Sequence, residues 1–143
     1  MKIVVKQPDP GPPYSLHDAH IMELRAEGDT LRLVTQYGYV CTTPPFGQVD
    51  GDVELTGVDL ESSYVYVMEY TDVLCGNCGH FTGRKMTLED FLREYPRFYL
   101  DIMDEVYGYC QVKLSGFLGL AEQLLEFSIE LYYTGEFRYL LKE

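Results

Sequence analysis

Tryptophan is absent from this chain, basic residues are few, and no apolar run approaches the length that would cross a bilayer. About 20 consecutive apolar residues are needed for a spanning helix, so a transmembrane helix is not expected. The 11 Lys and Arg against 23 Asp and Glu leave a net charge of −12 and a pI near 4.5. A surface so negative repels phosphate backbones and anionic membrane faces, so neither nucleic acid nor membrane is an expected partner. The Gly-x-Ser-x-Gly elbow, the P-loop, the dinucleotide fingerprint and His-Glu-x-x-His are all missing. With none of those frameworks present, the expectation is a non-enzymatic protein without a cofactor. Also missing are internal repeats, low-complexity tracts and linkers, so residues 1–143 read as a single domain.

What the chain does contain favours a folded, sheet-rich structure. Hydrophobic residues make up 46% and charged residues 24%, in the globular range, and 143 residues suffice for one core. Aromatic content is dominated by 13 Tyr and 7 Phe, and tyrosine suits strands and half-wet surfaces. The start, Met1 to Lys6, meets charge and then Pro8, Pro10, Pro12 and Pro13 too early for a signal-peptide apolar region. A cytoplasmic location with reduced cysteines is the expectation.

Along the chain, residues 7–14 are too rich in proline for regular structure and read as an extended loop. Residues 19–26 and 30–36 flank Glu27-Gly28-Asp29 and predict a β-hairpin. Residues 42–52 hold Pro44, Pro45, Gly47 and Gly51 and read as a loop. In the strand predicted over 62–70, Tyr64, Tyr66, Met68 and Tyr70 share one face and Val65 and Val67 the other. Thr87, with Asp90 three residues on and an apolar stripe of Leu88, Phe91 and Leu92, predicts a helix over 87–95 that Pro96 stops. Phe98, Leu100 and Ile102 then alternate as a strand. Residues 120–134 satisfy both periods. Leu120, Leu124, Phe127 and Leu131 fit a helix, whereas Phe127, Ile129, Leu131 and Tyr133 alternate strictly. A hairpin turning at Thr134-Gly135-Glu136 into 137–140 is the chosen reading. The fold class is therefore α+β, a mainly antiparallel or curled sheet of about seven to nine strands with one or two short helices.

Among chemistry-bearing groups, Cys75-Gly76-Asn77-Cys78-Gly79-His80 has the shape of a zinc knuckle. Cys75, Cys78 and His80 would still need a fourth ligand, and Cys41 or Cys110 would have to supply it. A redox dithiol is disfavoured because Gly79 to Lys85 separate the cysteines from any helix N-terminus. His17-Asp18-Ala19-His20 could present two imidazoles on one face if helical, but on opposite faces if extended. Asp101, Asp104 and Glu105, and Glu126 and Glu130, are acidic pairs of a kind any such chain carries, and the second pair is expected to face solvent. The Tyr64–Tyr70 face lacks the basic groove of a single-strand binder and reads as a core wall or a protein-contact surface.

The run Leu16-His17-Asp18-Ala19-His20-Ile21, then Glu27-Gly28-Asp29-Thr30-Leu31-Arg32-Leu33, resembles the opening of small bacterial domains of unknown function. Ile129-Glu130-Leu131-Tyr132-Tyr133-Thr134-Gly135-Glu136 is similar to their closing hairpin. Some domains of that type are immunity proteins of contact-dependent toxin systems. The resemblance covers about a third of the chain, gives Cys75 to His80 and the proline-rich start no counterpart, and transfers no catalytic residue. It implies a bacterial, β-rich α+β domain. The leading expectation is an immunity-like binding protein that turns its acidic, tyrosine-rich surface to a basic protein. A zinc-binding domain or small enzyme around Cys75, Cys78 and His80 is the alternative, and a homo-oligomer joined through Tyr64–Tyr70 is a third reading.

Overall fold

A computed structural model describes residues 1–8, 10–72 and 79–142. Its strands, in chain order, are β1 (Lys2–Val5), β2 (Tyr14–Ser15), β3 (His20–Glu27), β4 (Thr30–Thr35), β5 (Tyr39–Cys41), β6 (Gln48–Val49) and β7 (Gly51–Leu55). There follow β8 (Tyr64–Thr71), β9 (His80–Thr87), the helix α1 (Leu88–Glu94), β10 (Tyr99–Gly108), β11 (Gln111–Gly119), β12 (Leu124–Tyr132) and β13 (Phe137–Leu141). Among the described residues the fold is thus mainly antiparallel sheet with one helix, as the alternation implies. The thirteen strands among the described residues exceed the expected seven to nine, in part because the Pro- and Gly-rich stretches still contribute β2 and β6, each two residues long, which pair with β5 in a three-stranded sheet.

The main sheet has ten strands in the order β1-β13-β7-β4-β3-β10-β11-β12-β8-β9. Its two halves meet at β3 and β10, which share only the register pairs Ile21–Leu100 and His20–Asp101. A bulge follows the seam on each strand, between Ile21 and Glu23 and between Ile102 and Asp104. Bulges bend a strand and increase its twist, and here the halves close on each other. Tyr107 of β10 meets Phe137 of β13 edge-on at 5.8 Å, and one hydrophobic cluster takes buried residues from both halves.

The predicted helix is present. Thr87 caps it, accepting a hydrogen bond from the Asp90 N–H, while Leu88 and Phe91 are buried beneath it. Residues 120–134 supply a strand, not a helix: Phe127, Ile129 and Leu131 point into the core. The closing hairpin requires a correction. The turn at 134–136 does join two strands, but β12 pairs with β11 and β8, whereas β13 pairs with β1 and β7. The link is instead bound to the 56–57 segment, with Gly135 N–H donating to Thr56 O and Thr134 N–H to Gly57 O. A side chain at Gly135 would strike Thr56, so the approach needs glycine. The 42–52 stretch, read as loop, likewise contains β6 and the start of β7.

Candidate functional site

The half-sheet β10-β11-β12-β8-β9 has one face in the core and one in solvent. Val65, Val67, Val112, Leu114, Phe127 and Ile129 are buried on the inner face. Period-two alternation therefore sends Tyr64, Tyr66, Met68 and Tyr70 outward, and they are half-buried or exposed. Cross-strand registers set Phe117, Glu126 and Met68 side by side, and beyond them Tyr70 beside Phe81. The Tyr70 and Phe81 rings lie 5.0 Å apart. Phe81, Leu124 and Met103 remain 58%, 61% and 42% exposed. Contiguous apolar surface of this kind marks contact sites on soluble domains.

A depression of about 310 Å³ lies in this face, lined by Met68, Met103, Phe117 and Glu126 together with Ser115, Gly116 and Phe127. Met103, the bulged residue of β10, borders it together with Gly116, which pairs with Ile102 beside the bulge. A Cβ there would collide with the Asp101 carbonyl. The charge around it is unbalanced. Lys85 sits 4.2 Å over the Tyr64 ring and Lys113 3.6 Å from Glu130. Asp104 and Glu126 have no ion-pair partner among the described residues. The outer face of the other half differs: Arg32, Glu54 and Arg138 stand opposite one another across β4, β7 and β13, with Arg138 3.2 Å from Glu54. Its charges are met within the chain.

The expected metal ligands do not assemble among the described residues. Cys75 and Cys78 lie outside them, and His80 opens β9, exposed. Cys110 turns from β10 to β11. The registers Gln111–Tyr132, Glu130–Tyr64 and Tyr64–Thr87 place that turn at the Thr87 end of β9, opposite His80. Cys41 lies in the small sheet, across from Tyr14. His17 Nδ1 contacts Asp18 at 3.0 Å and His20 Nδ1 contacts Asp101 at 2.6 Å, so the two imidazoles engage different carboxylates. Among the described residues no three His, Cys, Asp or Glu gather to hold a metal.

Glu126 and Glu130 face outward as expected. The Asp101–Glu105 group divides, and simple alternation misses why. Unbroken β10 would put Glu105 on the same side as Asp101, but the bulge turns it inward. There Glu105 accepts hydrogen bonds from the Ser15 hydroxyl, the Leu16 N–H at 2.9 Å and the Tyr107 hydroxyl at 2.6 Å. Tyr139, fully buried beside this group, has a hydroxyl with no well-formed hydrogen bond. Burial, and then neighbouring anionic groups, raise the pKa of Tyr107 and Tyr139. Burial lowers that of Lys6, whose ammonium lies 4.9 Å over the Tyr107 ring. The network fastens β2 and the 16–19 turn to β10 from within, so its geometry is that of a clasp and not of an open catalytic site. Comparison with family models, with curated proteins and with solved structures finds no match for this chain.

Proposed function

We propose that this chain is a non-enzymatic protein-binding domain, immunity-like and cytoplasmic, whose open β10-β11-β12-β8-β9 face receives a basic protein partner. The observation that carries the reading is the depression between Met68, Met103 and Phe117 with unpaired Glu126 at its rim. A Lys or Arg side chain fits that chemistry, laying its aliphatic stem on thioether and aromatic groups and its charge against the carboxylate. The net charge of −12 would draw such a partner in and speed the encounter. The immunity-like role rests on the resemblance of residues 16–33 and 129–136.

The test compares retention of a basic partner by the wild type and by a Phe117→Ser, Glu126→Lys double variant with an unchanged circular dichroism spectrum. The wild type is expected to hold a basic protein that raised ionic strength releases, and the variant to lose it. Equal retention by the variant, or binding insensitive to salt, would remove this face from consideration. A concentrated wild type that dimerises, with the double variant monomeric, would instead assign the face to a second copy of the chain.

A further inference from the structure

A second surface of opposite character lies on the far side of the β3–β10 seam. We propose that the groove between β3 and the segment from α1 to Phe98 binds an extended acidic peptide as an added β-strand. The groove encloses about 780 Å³, with Leu92, Tyr95 and Phe98 along it and Arg25, Arg93 and Arg97 around it. That size suits a short segment of chain.

Two independent observations define the occupant. The first is a free strand edge. β3 pairs with β4 as far as Glu27, but on its other side β10 leaves it after Ile21. Residues 22–26 all line the groove, and no described backbone group on that side hydrogen-bonds to them. An edge of this kind is the template on which peptides add as strands. The second is charge. In a chain of net charge −12, three arginines converge on one groove whose only carboxylate among the described lining residues is Glu23. Arg25 pairs with Glu23 at 3.0 Å, and Arg93 with Asp90 at 3.3 Å and Glu89 at 3.8 Å, all exposed. Exposed pairs are weak and exchange readily for an incoming carboxylate. Arg97 has no carboxylate within 4.0 Å among the described residues. Guanidinium groups grip carboxylates in a bidentate fashion, so an acidic strand fits where a basic one is repelled.

The experiment uses the full chain labelled with ¹⁵N and a capped synthetic heptapeptide alternating Asp and Val. Amide signals of residues 22–26 and 93–98 are expected to shift together. Replacing every Asp by Lys should abolish the effect. N-methylation of alternate peptide nitrogens should weaken binding about tenfold, the loss of one to two main-chain hydrogen bonds. Arg97→Glu, at an exposed position that leaves the fold intact, should weaken it at least about fivefold. The proposal is overturned if the Asp and Lys peptides bind alike, if the N-methylated peptide binds undiminished, if the shifts fall outside the groove, or if none appear at millimolar peptide. The outcome is independent of the open face, which the Phe117→Ser, Glu126→Lys variant tests separately.

Discussion

Tyr39 and Tyr139 are buried and Tyr107 half-buried, the first donating its hydroxyl to the Asp52 carbonyl at 2.9 Å and the others beside Glu105. Burial is the largest cause raising all three pKa values. The perturbation that exposes this is alkali. Below about pH 10 these phenols are neutral whether the chain is folded or not, and their contribution is intact. Above it the unfolded chain releases three protons that the folded chain retains. The native state then binds more protons, so stability falls as pH rises. Each group contributes about 1.4 kcal/mol per pH unit, so the three together give about 4 kcal/mol per unit. A domain of ordinary stability, about 5–15 kcal/mol, would unfold within about one to four units of pH 10. Phenolate absorbance followed alongside far-ultraviolet circular dichroism should show only part of the tyrosine content ionising while the sheet signal persists. A cooperative step should follow, in which the remaining tyrosines ionise as the sheet signal collapses. Tyr139→Phe should cost little at neutral pH, since that hydroxyl lacks a well-formed hydrogen bond, and should lower the slope by about a third. Smooth ionisation of every tyrosine near pH 10 with the sheet intact would refute the reasoning.

Two further outcomes follow from the same structure. Glu105→Ala strands the Leu16 N–H and the Tyr107 hydroxyl without their acceptor and should cost about 2–4 kcal/mol in urea unfolding, against about 1–2 for Glu105→Gln; a loss under about 0.5 kcal/mol for the alanine variant would show the clasp to be ornamental. Metal analysis of the purified chain should find less than stoichiometric zinc and a melting curve unchanged by chelator, because no three His, Cys, Asp or Glu gather among the described residues; one tightly held zinc per chain would reverse that expectation.

The sequence made local structure legible and long-range pairing much less so. Thr87 and Asp90 mark the helix start because capping is a contact between residues three apart. Val65 and Val67, and Phe127 and Ile129, declare inner faces because alternation is local too. The partners of β13 are not local. Nothing in residues 137–141 says that they insert between β1 and β7, and a turn such as 134–136 ordinarily implies a hairpin. Glu105 failed for a related reason: one bulged residue, invisible to a period of two, exchanges inside for outside. The open face was legible in part, as the Tyr64–Tyr70 stripe. Its depression needed Met103, Phe117 and Glu126 from three other strands. The arginine groove has no local signature, because Arg25, Arg93 and Arg97 converge only after β10 departs from β3.

The position of β13 has a consequence for how the molecule comes into being. Lys2 lies opposite Leu141, and Gly51 pairs with Leu141 on the other side. The strand that unites the β1 and β7 segments is therefore made after both of them. Until it arrives, β1 has no neighbour and β7 shows one bare edge to every other nascent chain nearby. A ribosome stalled short of residue 137 would hold β1 and β7 without the strand that joins them, and chains released at that point should come out insoluble.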